Sequence, residues 1–313
     1  MTKKKIAILG AGTMGTGIAQ LFASKGHLVK IIYVYDDKER ARPLETMRDN
    51  MQVLKEQGVL EEAAVRETLD RVSFTESLEE AAAFADVIFE CIVEDLAVKQ
   101  GFFGKLDELC PPQTILATNT SAISITEIAE KTRHKERIIG THFWNPAYLI
   151  PLVEVIKTEF VSEKTVEAVI ALMEGAGKKP VLVKKDVPGF LANRMQHALF
   201  REAISIVEND IADPKDVDDA IKYGFGMRLG IMAPMEVMDN GGLDLTCAIH
   251  EYLFPNLENS VKPARLLKEK LKQGELGFKS GKGFQEWTAE EIRASRKNLT
   301  EGLIKVARAL ARL

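Results

Sequence analysis

A histidine and a glutamate 12 positions apart are the residues of this sequence best suited to acid–base chemistry. His142 lies in the aromatic, apolar stretch THFWNP, and Glu154 lies in the apolar stretch IPLVEVI. A neutral imidazole can accept a proton near neutral pH, and a carboxylate can fix its tautomer and stabilise the imidazolium. However, a lone histidine in an apolar segment is more often a core residue, and a glutamate in a strand can pair with a lysine. The two residues are therefore either one acid–base pair or two separate buried polar groups.

Length, composition and charge indicate a globular protein of roughly two domains. The 313 residues are 46% hydrophobic and 28% charged, with both signs mixed and a formal net charge of −4. A nucleic-acid-binding protein would need a concentrated basic face, which this pattern lacks. No stretch approaches the ~20 apolar residues of a membrane span. We therefore expect neither a nucleic acid nor a membrane as a partner.

The cysteines and the N-terminal stretch favour a cytoplasmic location. Cys91, Cys110 and Cys247 have no CxxC spacing, which suits a reducing compartment. The start MTKKKIAILG places lysines before apolar residues, as a secretory signal does, but glycines and Gln20 soon interrupt the apolar run. No cluster of His, Cys, Asp and Glu has the spacing of metal ligands, so we expect no metal.

Short apolar runs rich in β-formers alternate with helical stretches through the first half of the chain. The predicted strands are KKIAILG, VKIIYVYD, DRVSFT, ADVIFECI, TILATN and RIIGTHF. Continuous apolar runs are typical of strands that are buried on both faces of a parallel sheet. After about residue 186 the strand signal disappears and the pattern is helical. The predicted fold is α/β: a Rossmann-type doubly wound parallel sheet over 1–186 and an all-α second domain over 187–313.

The glycine-rich turn after the first predicted strand is a candidate dinucleotide site. Gly10, Gly12 and Gly15 form G-x-G-x-x-G, with Thr13 and Met14 between them. The pattern alone is weak, but here it follows an apolar strand and opens a helix. The first glycine permits a tight turn, the second lets backbone N–H groups approach a diphosphate, and the third lets helix and strand pack closely. We predict that these five residues bind the diphosphate of NAD.

An acidic residue at the end of the second strand is expected to bind the adenosine ribose. Asp36 ends VKIIYVYD, 21 residues after Gly15, and Asp37 is the alternative. A carboxylate at this position repels a 2′-phosphate and so favours NAD over NADP. Arg40 and Arg42 leave NADP open.

Six stretches in a fixed order resemble the 3-hydroxyacyl-CoA dehydrogenase superfamily. They are AILGAGTMGTGIAQ, ECIVEDLAVKQ, ATNTSAISITEIA, GTHFWNP, IPLVEVI and DVPGFLANRM, and the resemblance extends from residue 5 to about Trp287. The family implies an NAD-dependent oxidoreductase that oxidises an L-3-hydroxyacyl substrate at C3 by hydride transfer. The most similar type would be a 3-hydroxybutyryl-CoA dehydrogenase of fatty acid metabolism.

The resemblance also implies roles for single residues. His142 matches the family's catalytic base, and Glu154 matches its carboxylate partner. The substrate-orienting positions are matched by Ser121 and Asn193. The positions near the nicotinamide end of the cofactor are matched by Glu94, Lys99 and Asn145. Hydride cannot leave C3 unless the hydroxyl proton also leaves, so an imidazole–carboxylate pair suits the reaction. Asn193 could instead be a plain helix cap. Ser121 also lies near a helix start, but Ser124 with Glu127 makes the better capping box there, which leaves Ser121 free for another role.

Two departures from the family pattern concern the substrate. CoA-using members carry a serine and clustered lysines on the helix pair after the second strand, whereas this region has Lys55, a few arginines such as Arg48, and many acids. Arg228 stands where CoA-type members have Pro-Met-Gly-Pro, and the tail extends past the usual family end. Both features resemble relatives that act on free acids such as gulonate, carnitine and a pyridoxine-degradation intermediate. Arg228 is either a clamp for a substrate carboxylate or a solvated loop residue, and the substrate is either a CoA thioester or a free acid.

Two other protein classes fit the sequence less well. β-Hydroxyacid dehydrogenases use a catalytic lysine on the helix that opens the second domain, but residues 187–209 contain no lysine. A non-enzymatic NAD-binding relative would be expected to lack His142 or Glu154, and both are present. A homodimer is also predicted, because the second domain has apolar helix faces over 234–271 and little sheet to cover them.

Overall fold

The computed structural model describes residues 3–33 and 41–312, and an eight-stranded sheet lies at the centre of its N-terminal part. The chain divides into two units. The first unit contains Met1–Asn193, Leu303–Lys305 and Arg312–Leu313, and the second contains Arg194–Gly302 and Val306–Ala311. Across the two described ranges, no helix combines the length and the apolarity that crossing a membrane requires.

The strands of the first unit follow the order β3-β2-β1-β4-β5-β6-β7-β8. Their bounds are β1 Lys5–Leu9, β2 Leu28–Ile32, β3 Val72–Thr75, β4 Val87–Glu90, β5 Ile115–Thr118, β6 Ile138–Phe143, β7 Leu152–Ile156 and β8 Lys179–Val183. The first six strands run parallel, β7 pairs antiparallel with β6, and β8 pairs parallel with β7. The predicted Rossmann-type sheet is confirmed, with two strands reversed at one end.

The six predicted strands include neither β7 nor β8, and β8 lies at an edge of the sheet. Its sequence is KPVLV, and only Val183 among its five residues is buried. An edge strand needs no continuous apolar run and tolerates a proline such as Pro180. The signal that revealed the central strands is therefore absent from this one.

Helices cover both faces of the sheet and bury alternate strand residues. Ile6 and Ile8 of β1 join one hydrophobic cluster, whereas Ala7 and Leu9 join another. The helices of this unit are α1 Thr13–Ser24, α2 Ala41–Glu56, α3 Glu62–Asp70, α4 Leu78–Phe84, α5 Leu96–Leu109, α6 Ile125–Ile128 and α7 Glu163–Gly175. A strand that is buried on both sides is apolar at most positions, which explains the nearly continuous apolar runs in the sequence.

Beyond β8 the chain is helical, as predicted. The helices are α8 Ala192–Glu208, α9 Pro214–Tyr223, α10 Gly226–Leu229, α11 Pro234–Gly241, α12 Leu243–Leu253, α13 Arg265–Lys272 and α14 Ala289–Ala309. Not one residue of α8 to α13 is buried within the chain. In contrast, Ile304 of α14 is fully buried against Leu54 and Leu149 in the first unit.

Candidate active site

The turn between β1 and α1 has the geometry required at a dinucleotide diphosphate. The predicted residues lie in it: Gly10, Gly12, Thr13, Met14 and Gly15. Gly10 has φ +107°, and a Cβ on Gly15 would clash with the Gly10 carbonyl oxygen. A Cβ on Gly12 would meet no atom within 4 Å, so open space lies beside the turn. No side chain caps α1, which leaves its first N–H groups for an anion, and the turn therefore fits the diphosphate of NAD.

The acidic residue predicted at the ribose lies outside the described residues. Asp36, its alternative Asp37 and Arg40 all fall between the two described ranges. The last residue of β2, Ile32, accepts a hydrogen bond from the Gly10 N–H at 3.1 Å, so the described end of β2 lies beside the glycine turn. The ribose assignment stays a prediction.

Glu94 and Lys99 lie in one polar network with the loop that carries Ser121. The Glu94 carboxylate accepts hydrogen bonds from the Thr120 hydroxyl at 2.5 Å and the Ser121 N–H at 2.9 Å. The Lys99 ammonium lies 3.2 Å from Glu94 and 2.6 Å from Glu90. Burial by itself would raise the pKa of Glu94, but the Thr120 hydrogen bond and the Lys99 charge outweigh it and hold the pKa below its ordinary range. The network fixes an anionic carboxylate next to Ser121.

His142 and Glu154 are brought together by the antiparallel pairing of β6 with β7. The register places the two residues opposite each other, and the His142 Nδ1 atom lies 2.7 Å from the Glu154 Oε2 atom. His142 is only 5% exposed and Glu154 is fully buried. Nδ1 donates to the ionised carboxylate, which leaves Nε2 as the acceptor. The arrangement is that of an oriented general base. The two residues are 12 positions apart because the consecutive strands β6 and β7 pair as an antiparallel hairpin.

The Glu154 carboxylate is bound by four donors. Its Oε1 atom accepts the N–H groups of Leu191 and Ala192, each at 2.9 Å. Its Oε2 atom accepts His142 Nδ1 and, at 3.3 Å, the indole Nε1 of Trp144. Burial alone would raise the pKa of Glu154, but the hydrogen bonds from His142, Ala192 and Leu191 outweigh it and hold the pKa below its ordinary value. The carboxylate therefore stays ionised and can stabilise an imidazolium on His142.

The two predicted substrate-orienting residues contact each other. The Asn193 side-chain amide donates to the Ser121 main-chain oxygen at 3.2 Å, so this amide holds the serine loop. The Ser124 hydroxyl caps α6 at the Glu127 N–H, as predicted, and Ser121 is not used as a cap. Ser121 is exposed, which leaves its hydroxyl accessible to a ligand.

Two further predicted residues lie in less informative positions. Asn145 follows β6 and is joined to Pro146 by a cis peptide bond. Arg228 lies on α10 of the second unit, where its side chain is exposed.

Three residues of the site were missed by sequence reasoning. Glu90 is fully buried, accepts the Thr118 hydroxyl at 2.7 Å and pairs with Lys99. Asn119 accepts the Phe143 N–H at 2.9 Å and so holds the end of the strand that carries His142. Trp144, whose indole Nε1 donates to Glu154 Oε2, is the third missed residue. Glu90 had a usable signal, because an acid that ends the apolar run VIFE requires a buried partner.

Family models match most of the chain. Residues 5–187 match the model described as "3-hydroxyacyl-CoA dehydrogenase, NAD binding domain", and residues 189–287 match "3-hydroxyacyl-CoA dehydrogenase, C-terminal domain". These matches confirm the predicted resemblance.

Two curated relatives and one solved structure are similar over nearly full lengths. A "Probable 3-hydroxybutyryl-CoA dehydrogenase" of Bacillus subtilis is 40% identical over 288 residues, which cover 92% of this chain and 98% of that protein. A "5-formyl-3-hydroxy-2-methylpyridine 4-carboxylate 5-dehydrogenase" of Mesorhizobium japonicum is 35% identical over 309 residues, 98% of both chains. A crystal structure of a dehydrogenase of this second kind, described as an NAD⁺-dependent dismutase, aligns with a TM-score of 0.91, 34% identity and 99% coverage of both chains.

Three predictions are confirmed by these similarities. The chain has a Rossmann domain for NAD, NAD is the cofactor, and the chain is an oxidoreductase of the kind that acts on CH–OH groups. The two relatives differ in the substrates that their names give.

Proposed function

Because this chain belongs to the 3-hydroxyacyl-CoA dehydrogenase family, we propose that it is a dehydrogenase of a small free acid, with His142 as the general base. The substrate would be a free hydroxy acid, or a related small carboxylate, and not a CoA thioester. NAD binding is assigned to residues 1–186, and substrate binding and dimerisation to 187–313.

The charge of the helix pair α2–α3 is the observation that carries this proposal. Between residues 41 and 70 the cations are Arg42, Arg48, Lys55 and Arg66, whereas the acids are Glu45, Asp49, Glu56, Glu61, Glu62, Glu67 and Asp70. Lys55 is moreover engaged by Glu62. The 3′-phospho-ADP group of CoA is strongly anionic and would meet a net negative surface here.

The extent of the similarity supports the same substrate class. The pyridine-carboxylate dehydrogenase aligns over 309 residues, against 288 for the butyryl-CoA relative, and so includes the region of α14 beyond the matched family domains. That dehydrogenase, by its name, acts on a compact aromatic carboxylate.

The residues of the site have separable roles in this proposal. His142 Nε2 accepts the proton of the substrate hydroxyl, and Glu154 stabilises the imidazolium that forms. Bound NAD supplies the hydride acceptor. The Ser121 hydroxyl hydrogen-bonds the substrate oxygen, while Asn193 positions the serine loop through the Ser121 carbonyl. Glu94, Lys99 and Asn145 are assigned to the nicotinamide end of the cofactor.

A CoA thioester is the second candidate, and one observation favours it. The relative with 40% identity over 98% of its own length is named as a probable 3-hydroxybutyryl-CoA dehydrogenase. In that case the reaction and the roles of His142 and Glu154 would be unchanged, and the substrate would be an L-3-hydroxyacyl-CoA.

A panel of NAD-reduction assays separates the two candidates. The substrates are 3-hydroxybutyryl-CoA, free 3-hydroxybutyrate, L-carnitine, L-gulonate and 5-formyl-3-hydroxy-2-methylpyridine 4-carboxylate. A free-acid enzyme turns over at least one of the free acids and leaves the thioester unused. Efficient use of the thioester alone would overturn the proposal.

Arg228→Met tests the second-unit contribution. If Arg228 clamps the substrate carboxylate, its loss should raise KM for the free acid about 10- to 150-fold, because a charge-assisted hydrogen bond is worth ~1.5–3 kcal/mol. Arg296→Met, another exposed arginine of the second unit, is the matched control. For a CoA thioester, Arg228→Met should have little effect, and substitutions of Lys55 or Arg48 should have more.

A homodimer is part of the proposal. Several large apolar side chains of the second unit are strongly exposed, among them Ile231 at 74%, Tyr252 at 84% and Val261 at 95%. Exposed apolar area on this scale marks an interaction surface, and a second copy would cover it symmetrically. A mass of 34.8 kDa by sedimentation at micromolar concentration would contradict the dimer.

The free cysteines Cys91, Cys110 and Cys247 support placing the enzyme in the cytoplasm.

A further inference from the structure

A small cavity in the first unit has no role in the proposed reaction. It has a volume of about 140 Å³ and lies among the end of α1, α2, the segment before β7 and the segment before β8. Its apolar wall includes Leu21, Met51, Leu54, Leu60 and Leu149. An apolar cavity of about 150 Å³ can hold a benzene molecule, so this one has the size of a single ring or a short acyl chain.

The charged groups that line this cavity are all cations. Lys25, Lys178 and Arg312 contribute to it, and no aspartate or glutamate is among the described residues that line it. Lys25 and Arg312 are exposed, whereas Lys178 is 93% removed from solvent, with 7% exposure. The cavity therefore combines an apolar wall with positive charge.

Lys178 is a buried ammonium without a carboxylate partner among the described residues. Its Nζ donates to the main-chain oxygens of Ala147 at 2.5 Å and Ile150 at 2.8 Å, and no described acceptor takes its third N–H. Burial, with a smaller effect from the charge of Lys25, lowers the pKa of Lys178 to about 8. A buried cation held only by carbonyls lacks the counter-ion that such groups usually have.

We propose that this cavity is a binding site for a small monocarboxylate with an apolar body of ring size, and that Lys178 is the residue that pairs with its carboxylate. The apolar body contacts the leucine and methionine wall, and Lys25 and Arg312 add favourable charge at exposed positions. This site is independent of the proposed substrate site.

The protonation of Lys178 couples ligand binding to pH. The other titratable and charged groups that line the cavity are Lys25, Arg312 and Tyr148, whose pKa is raised by burial and whose hydroxyl donates to Asn50. None of them can replace a buried ammonium at neutral pH. Only the charged form of Lys178 attracts the carboxylate, so affinity should fall as the pH rises through about 8.

Isothermal titration of benzoate into the NAD-saturated enzyme tests the site. We expect saturable binding at pH 7 that weakens about tenfold by pH 9, and no comparable binding of neutral benzamide. Lys178→Met should weaken benzoate at least tenfold and Lys178→Arg much less, while Lys179→Met, at the exposed neighbouring position, should leave it unchanged. Arg228→Met should also leave it unchanged, which separates this site from the proposed substrate site.

Several results would overturn the inference. They are the absence of saturable benzoate binding, equal binding of benzoate and benzamide, and an unchanged affinity in folded Lys178→Met. If Lys178→Met does not fold, the wild-type comparison at pH 7 and pH 9 decides, and an affinity that is independent of pH rejects the site.

Discussion

Glu154→Gln should remove the base function of His142, although glutamine has nearly the same shape as the glutamate that it replaces. The carboxylate accepts two backbone N–H groups on Oε1 and two side-chain N–H groups on Oε2. A glutamine offers one accepting oxygen and one donating NH₂. The more stable orientation of the amide places its oxygen toward Leu191 and Ala192. The reverse orientation would point the NH₂ group at the two backbone N–H groups, which are also donors.

The NH₂ group then points at His142 Nδ1, which must become the acceptor. The proton moves to Nε2, and the imidazole presents a donor where the reaction requires a base. The loss should equal the contribution of a general base, about 10²–10⁴-fold in kcat, or ~3–5 kcal/mol at 1.36 kcal/mol per tenfold change. His142→Ala should fall in the same range.

The assay is steady-state NAD reduction with the best substrate of the panel, beside a fluorescence titration of NAD binding. NAD affinity should stay close to that of the wild type, because neither residue of the pair is assigned to the dinucleotide. Glu163→Gln is the matched control, since this exposed glutamate pairs only with Lys157 among the described contacts. A kcat for Glu154→Gln within threefold of the wild type would refute the tautomer argument.

Three further outcomes are expected. Asp36→Ala should weaken NAD binding and narrow the preference over NADP; if Asp37→Ala does this instead, the ribose residue is one position later. Lys99→Met should lower the free energy of unfolding in urea by ~3–5 kcal/mol, because it leaves Glu90 buried without its cation, and a loss below 1 kcal/mol would contradict this. Between pH 8 and 10 the wild type should gain ~2 kcal/mol of stability relative to Lys178→Met, because the pKa of Lys178 is about 8 when folded and near 10.5 when unfolded; a difference that stays constant with pH would contradict the burial argument.

Much of the fold was predictable because the sheet is buried on both faces. Strands such as β1 and β4 bury nearly every side chain, so their sequences are apolar except at one end, at Lys5 of β1 and Glu90 of β4. The glycine turn was also predictable from the sequence. Gly10 has a positive φ, and at Gly15 a Cβ would clash with the backbone, so both positions require glycine. The reversal of β7 was not predictable in this way, because strand direction leaves no trace in an apolar run.

The candidate site was predictable only where chemistry and the family resemblance agreed. His142 and Glu154 were identified by type and context, but the pairing that joins them depends on the β6–β7 register. The role of Asn193 was less visible, since an amide beside a helix start could face substrate, backbone or solvent. Its contact with the Ser121 carbonyl joins two chain segments 72 residues apart, and local pattern carries no information at that separation.

Glu154 also completes the start of α8, which has consequences for how the enzyme can change. Helices usually begin with a nearby Ser, Thr, Asp or Asn that accepts the first N–H groups, but here a residue 37 and 38 positions away does so. The positive end of the α8 dipole in turn favours the ionised carboxylate. One side chain thus accepts hydrogen bonds both at a helix terminus and from His142, so a variant such as Glu154→Ala, which removes both oxygens, would lose the cap of α8 as well as the partner of His142. Replacement of His142 would leave the start of α8 intact, whereas loss of the Glu154 oxygens would require a new cap for that helix.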